Sequence, residues 1–105
     1  MRLINSKVKV EITRPLEKSL YLRNLRIIPL PRNTILLGPI HITADINAES
    51  DIEKVEFYID GRLKKIDTTE PFTYRWRSFK SFKHKIKVVA YDKEGYYAED
   101  EILVR

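Results

Sequence analysis

The amino-acid sequence predicts an all-β protein, a sandwich of about seven short antiparallel strands. Apolar and polar residues alternate in several short runs, which is the pattern of half-buried strands. Turn-forming residues separate these runs about every ten residues. No run has the period of an amphipathic helix, so both layers of the predicted core are sheets.

Composition indicates one domain over residues 1–105. Hydrophobic residues make up 43% of the chain, which is enough for one packed core. The absence of cysteine excludes disulfides, thiolate metal sites and cysteine nucleophiles. Lys and Arg number 20 against 15 Asp and Glu, and this net charge of +5 favours a polyanionic partner without establishing one.

The first predicted strand spans Val8–Thr13, where every second residue is apolar. The proline at position 15 ends it, because proline cannot donate to a sheet ladder. Residues 16–39 are apolar but aperiodic and include three prolines. We predict an extended edge segment with loops there, packed by Leu20, Leu22, Leu25, Ile27 and Ile28.

Six further strands are predicted, five from the same alternation and one, the short and basic Arg62–Asp67, as the return strand of a hairpin. They span Ile40–Asn47, Val55–Ile59, Arg62–Asp67, Phe72–Trp76, His84–Tyr91 and Ala98–Arg105. Asp60-Gly61 fits a type I′ turn, which needs positive φ at both central residues. The lysines that follow it suit a sheet edge.

The last two strands raise one conflict. If Ile86 pairs with Ile102, Asp100 points into the core near Val88. A buried carboxylate needs hydrogen-bond partners, so we expect either a β-bulge or a hydrogen-bonding role for Asp100.

Four motifs carry a family resemblance: KVEFYIDG at 54–61, DTTEPFTYRW at 67–76, KIKVVAYDKEG at 85–95 and AEDEI at 98–102. Together they resemble the bacterial and archaeal Ig-like domain found in tandem in large cell-surface and secreted proteins. The match covers residues 40–104, and the proline-rich front half resembles the leading strand of archaeal members more weakly. Two positions depart from the family pattern. The family often has a glycine before the lysine-histidine pair, and none precedes Lys83-His84 here. The family also often has Gly-Asn after the last turn, and here Tyr96 and Tyr97 follow Gly95.

The resemblance implies an immunoglobulin-like β-sandwich that serves as a noncatalytic spacer, stalk or adhesion module. Its partners would be neighbouring domains or other surface proteins, and its place would be the extracellular space or the cell surface. The sequence itself has no signal-peptide h-region and no stretch long enough to span a membrane.

A basic stretch is the first candidate binding site. It contains Arg75, Arg77, Lys80, Lys83, Lys85 and Lys87 without an acid, interleaved with Trp76, Phe79 and Phe82. That pattern suits a nucleic acid or a sulfated glycan, although no nucleic-acid motif is present. The alternative is a solvated face, partly neutralised by Glu99 and Glu101 on the neighbouring strand.

Aromatic residues give the second candidate. Tyr96 and Tyr97 lie at a predicted hairpin end, where alternation lets only one of them be buried, and they either bind a ligand or cap the core. Phe72, Tyr74 and Trp76 could form a sugar-binding platform, but their alternation with polar residues favours the core.

Metal and catalytic sites have little support. Acids lie in or near loops at Asp45, Asp51, Asp60, Asp92 and Glu94, but their spacing matches no calcium loop. No nucleophile elbow, phosphate loop or zinc motif occurs. We therefore predict no enzyme, no metal and no cofactor.

Three alternatives to the spacer stay open. The chain could be a binding module for an acidic polymer or glycan. It could also be an accessory domain of a carbohydrate-active enzyme, or a standalone intracellular protein that pairs with a partner.

Overall fold

The computed structural model describes residues 2–3, 7–77 and 83–105. The strands in this part of the chain are β1 (Arg2–Leu3), β2 (Val8–Arg14), β3 (Ser19–Leu22), β4 (Leu25–Pro29), β5 (Ile35–Leu37), β6 (Ile40–Ala48), β7 (Ile52–Ile59), β8 (Arg62–Asp67), β9 (Thr73–Trp76), β10 (His84–Asp92) and β11 (Tyr97–Val104). The predicted strands correspond to β2 and β6–β11, and four short strands add to them. No described segment forms a helix of the length and apolarity that crossing a bilayer requires.

Two antiparallel sheets enclose the core. The larger sheet has the order β1-β11-β10-β7-β8, and the smaller has the order β2-β6-β9. Inward apolar residues alternate with outward polar ones along these strands, so the two inner faces interdigitate. This arrangement confirms the predicted immunoglobulin-like β-sandwich.

The core consists of residues that the alternation places inward. Val10, Ile42, Val55 and Val88 are fully shielded from solvent, and Phe57 is 1% exposed. Burying a side chain of this kind stabilises a fold by about 1.5–3 kcal/mol. The core is therefore the main source of stability for both sheets.

Asp100 joins the two sheets through hydrogen bonds. It lies opposite Val88 in the predicted register and is 6% exposed. Its Oδ2 accepts the backbone N–H of Ile12 in β2 at 2.8 Å, and its Oδ1 accepts the N–H of Glu101 at 2.9 Å. β2 is an edge strand of the smaller sheet, and backbone groups on its outer side do not pair with β6, so the N–H of Ile12 can donate to the carboxylate. The hydrogen-bonding role expected for Asp100 is thus confirmed.

The turn between β7 and β8 is formed by Asp60-Gly61. Their φ angles of 52° and 81° fit the predicted type I′ turn. Asp60 stabilises the turn, because its Oδ1 accepts the N–H of Lys85 at 2.8 Å and its Oδ2 lies 2.7 Å from Nδ1 of His84. The strand that follows, β8, lies at a sheet edge as its lysines predicted.

Within residues 16–39, where the sequence predicted an extended edge segment with loops, β3, β4 and β5 form a third sheet. Its order is β4-β3-β5, with β3 antiparallel to β4 and parallel to β5. This small sheet is attached to the end of β11. The backbone N–H of Arg105 donates to the carbonyl of Thr34, and the N–H of Leu36 donates to the carbonyl of Arg105, both at 2.7 Å.

The packing predicted for this segment was wrong for four of five side chains. Leu22, Leu25, Ile27 and Ile28 are 47%, 67%, 49% and 48% exposed, and only Leu20 is half-buried. Tyr21 fills the core instead. For Leu25, Ile27 and Ile28 the reason is topological: β3 pairs with β5 as well as with β4, which leaves β4 outermost with β3 as its one described neighbour. Leu22 is at the end of β3, opposite Leu25 in the register.

Candidate functional site

The predicted basic stretch is divided between two surfaces. Arg75 lies on β9 of the smaller sheet, opposite His41, and is exposed. Lys85 and Lys87 lie on β10 of the larger sheet and point away from the core, because Ile86 between them points in. The two groups therefore face opposite sides of the sandwich.

The other members of the stretch lie near the ends of these strands. Arg77 follows β9 and Lys83 precedes β10, and both are exposed. Lys80, Phe79 and Phe82 lie outside the described residues. The described basic residues thus do not form one continuous patch, and binding by the stretch stays a prediction.

Lys87 is engaged with its neighbours on the outer face of the larger sheet. It lies between Tyr58 on β7 and Glu101 on β11 in the register. Its Nζ stands 4.6 Å from the ring centroid of Tyr58, within the range of a cation–π interaction. The predicted position of Lys87 opposite Glu101 in the register is confirmed. The lysine also packs on an aromatic ring that sequence reasoning did not assign to a site.

Tyr96 and Tyr97 point to different surroundings. Tyr96 is 40% exposed at the turn, with the Nζ of Lys7 5.8 Å from its ring centroid. Tyr97 lies opposite Tyr91 in the register, and their rings stack with centroids 5.5 Å apart at 28°. Tyr97 is half-buried on the outer face, so neither tyrosine caps the core.

One surface on the outer side of the larger sheet combines tyrosine rings with charged side chains, and we call it the tyrosine face. It consists of Tyr58, Tyr91, Tyr97, Lys54, Glu56 and Lys87. Glu56 lies at its centre and is only 6% exposed, although it points away from the core. The hydroxyl of Tyr58 donates to Glu56 Oε1 at 2.8 Å, and Lys54 Nζ lies 3.3 Å from Oε2. Lys54 also stands 4.8 Å from the ring centroid of Tyr91. The carboxylate therefore ties the aromatic rings and the lysine into one cluster.

The pKa values follow from this cluster. Burial alone would raise the pKa of Glu56, but hydrogen bonds from Tyr58 and Lys54, with the Lys54 charge, outweigh burial and lower it. The hydrogen bond to Glu56 is the main cause that raises the pKa of Tyr58 to about 12. Burial, followed by the charge of Glu56, raises the pKa of Tyr91. Glu56 is therefore a charged acceptor, and both tyrosines are neutral donors at neutral pH.

Sequence reasoning found Tyr97 and Lys87 but missed the rest of the tyrosine face. The outward positions of Glu56 and Tyr58 follow from the alternation of β7. Their neighbours do not, because β7 and β10 pair across a long connection whose register the sequence does not give. Half-exposed tyrosine rings beside a fixed carboxylate and a lysine can stack on a sugar ring and bond to its hydroxyls.

The aromatic residues of β9 belong to the core, as predicted. Trp76 is 8% exposed and meets the ring of His84 edge-on, with centroids 5.1 Å apart. Tyr74 packs against Phe57 at 6.0 Å, and Phe72 also packs against the core cluster. Trp76 is therefore buried, and Phe72 and Tyr74 are half-buried against the core instead of forming an exposed platform.

Loop carboxylates serve as turn caps. Asp92 is 1% exposed, and its Oδ1 accepts the N–H groups of Glu94 and Tyr96, both at 2.9 Å. Its Oδ2 is buried without a hydrogen-bond partner, but one oxygen is fewer than the several ligands that calcium takes. Among the described residues, no three His, Cys, Asp or Glu side chains gather where they could hold a metal ion.

Comparison with known proteins identifies the family. The sequence model of a family described as a bacterial Ig domain matches residues 25–88, more than half of the chain. Among solved structures, the Clostridium thermocellum CbhA fibronectin(III)-like modules are 24% identical, with a TM-score of 0.65 over 91% of this chain and 93% of that one. At that identity the likeness shows the fold alone. No curated protein sequence matches the chain.

Proposed function

We propose that this chain, which belongs to the bacterial Ig domain family, is a noncatalytic structural and adhesive module of a surface or secreted protein. Domains of this family typically occur in extracellular or surface proteins and are generally noncatalytic. In this role the sandwich separates its neighbours and presents its loops and outer faces to partners. It works through a rigid core, with no reactive group.

One observation carries the proposal: each buried carboxylate in the described residues serves the fold. Asp67, Asp92 and Asp100 accept backbone N–H groups, and Glu56 accepts the Tyr58 hydroxyl. Such contacts stabilise turns and strand contacts, and they fix the acids as acceptors. General acid–base catalysis instead needs a group that can exchange protons with a substrate in a cleft.

The test is a titration of isotope-labelled protein with a sulfated polysaccharide, a neutral glycan and an oligonucleotide, each at low and moderate salt. A pure spacer gives unchanged amide spectra with all three ligands. An adhesive module gives localised shifts on one face. Turnover of any of these polymers by the purified protein would contradict the noncatalytic assignment.

A second candidate function is binding of a neutral glycan on the tyrosine face. It is favoured by the stacked, half-exposed rings of Tyr91 and Tyr97 beside the carboxylate of Glu56. Sugar stacking depends weakly on salt, whereas binding of an acidic polymer weakens steeply as salt rises. The matched variants are Tyr97→Ala on the face and Tyr96→Ala at the turn. Glycan binding at this face predicts loss of affinity in the first variant only, and equal loss in both would place the contact at the turn.

A further inference from the structure

Among the described residues, nothing covers the far edge or either face of β4, the outermost strand of the small sheet. All five of its residues are exposed, and the only described strand that pairs with it is β3. Alternate N–H and C=O groups of an edge strand point away from the sheet and can pair with another strand. Pro29 removes one N–H donor at the end of β4. The pairing of β3 with β4 is irregular near Tyr21, which shortens the regular stretch of β4. The free edge is therefore short but open.

The side chains of β4 and its surroundings are unusually apolar for a solvated surface. Leu25 is 67% exposed, and Leu22, Ile27, Ile28 and Leu37 are each close to half exposed. Large apolar side chains that are grouped in this way mark a surface that meets a partner. We call β4 with Leu22 and Leu37 the β4 edge.

The segment that contains the β4 edge also carries most of the net charge. Residues 14–39 contain five of the 20 basic residues and one of the 15 acidic residues, so they supply +4 of the total +5. The rest of the chain, with 15 basic and 14 acidic residues, is nearly neutral. At the edge itself, Arg23 lies at the tip of the β3–β4 hairpin and Arg26 lies on β4. Both are exposed, and no salt bridge found in the described residues includes either. Lys18 and Arg32 lie farther along the segment, beside Glu17 and Glu101. An apolar edge with this surrounding charge is complementary to an acidic, apolar partner.

We infer that the β4 edge docks an extended acidic segment of another polypeptide, which adds to the small sheet as a fourth strand. Main-chain hydrogen bonds to the free edge supply affinity, and alternate apolar and acidic side chains supply specificity. The short edge fits a short segment. This role goes beyond the spacer and lies apart from the tyrosine face.

Two other occupants fit the structure less well. A second copy of this chain would bring its own +4 segment against the first, and like charges oppose that pairing. A bilayer would leave the edge N–H and C=O groups without partners. The tip of the β3–β4 hairpin is also tied to the rest of the domain, because Asn24 accepts hydrogen bonds from the side chain of Arg14 and the backbone N–H of His41. These bonds oppose insertion of the tip into a bilayer.

Synthetic peptides test the inference. A short peptide of alternating valine and glutamate is titrated into isotope-labelled protein, and the same is done with a valine–lysine peptide and a valine–glutamate peptide interrupted by prolines. The expected result is amide shifts and slowed hydrogen exchange at residues 25–28 with the first peptide only, weaker at higher salt. Equal binding of the proline-interrupted peptide would refute strand addition, because proline cannot donate to the ladder.

Matched variants locate the contact. Leu25→Glu and Arg23→Glu are each expected to weaken binding of the acidic peptide by at least about tenfold, since each adds a like charge at the docking surface. Two control variants are expected to leave the affinity for the acidic peptide unchanged. They are Leu63→Glu, at an exposed apolar position on β8, and Arg75→Glu, on β9. Thermal unfolding confirms that each variant is folded.

Three results would overturn the inference. Equal losses in all four variants would place the peptide elsewhere or show nonspecific attraction. If the protein floats with anionic phosphatidylglycerol vesicles but does not bind the peptide, the β4 edge binds a lipid surface instead. Concentration-dependent dimerisation that Leu25→Glu abolishes would assign it to a second copy. Glycan binding is measured at the tyrosine face, which lies apart from the β4 edge. A negative peptide titration at the β4 edge therefore does not contradict the proposed function.

Discussion

Replacing Asp100 by alanine should destabilise the whole sandwich, because this carboxylate links the two sheets. The substitution removes a charged acceptor from the N–H of Ile12 and leaves that buried donor without a partner. A hydrogen bond to a charged group contributes about 1.5–3 kcal/mol, and the cost of an orphaned donor is of the same order. Allowing for partial relaxation, we expect a loss of about 2–3 kcal/mol in the free energy of unfolding. For a domain of this size, that lowers Tm by about 10–20 °C.

Two further variants separate the hydrogen bond from general effects of mutation. Asp100→Asn keeps the shape and one acceptor oxygen, so it should lose about half as much stability. Glu101→Ala removes an exposed neighbour on the same strand and should change stability by no more than about 0.5 kcal/mol. Urea and thermal unfolding, followed by circular dichroism and by the fluorescence of the single tryptophan, measure all three. The reasoning is refuted if Asp100→Ala and Glu101→Ala unfold at the same midpoint.

Three further predictions concern pH and backbone geometry. Hydrogen bonds and nearby lysines outweigh burial and lower the pKa values of Glu56 and Asp67. The stability that they contribute is complete above the ordinary carboxylate range and is lost as pH falls below that range through their lowered pKa values. Urea midpoints measured from neutral to acid pH should therefore fall less in a double variant with Glu56→Gln and Asp67→Asn than in the wild type, and an equal fall would contradict this contribution. Tyr58 should ionise near pH 12 in an absorbance titration, and Glu56→Gln should lower that value, whereas an unchanged value would contradict the hydrogen bond. Gly61→Ala should cost about 1 kcal/mol because φ there is 81°, although no atom lies where the new Cβ would stand; an unchanged urea midpoint would show that the turn tolerates alanine.

The alternation of apolar residues made the main sheets predictable. Val10, Phe57 and Val88 each lie inward where the period of two placed them. The turn at Asp60-Gly61 and the buried position of Asp100 followed from the same local reasoning. These features depend on neighbours in sequence or on one hairpin, so a single sequence contains the information.

The small sheet and the tyrosine face depend on pairings that a sequence does not display. Leu25 and Ile28 are apolar, and an apolar residue is ordinarily expected inside. Their exposure results from the parallel pairing of β3 with β5, which places β4 outermost. In the same way, the contact of Tyr58 with Lys87 needs the register between β7 and β10. Both features arise from contacts between segments far apart in the chain.

The backbone bonds at Arg105 have a mechanical consequence. A pulling force applied at that residue would load its bonds to Thr34 and Leu36 as well as the ladder between β10 and β11. Tension would therefore pass into the small sheet before β11 could peel away. Because β3 alone separates β5 from β4, a strand added at β4 would brace the sheet that shares the load. Binding of a partner at β4 and the resistance of the domain to pulling at Arg105 would then both depend on the small sheet.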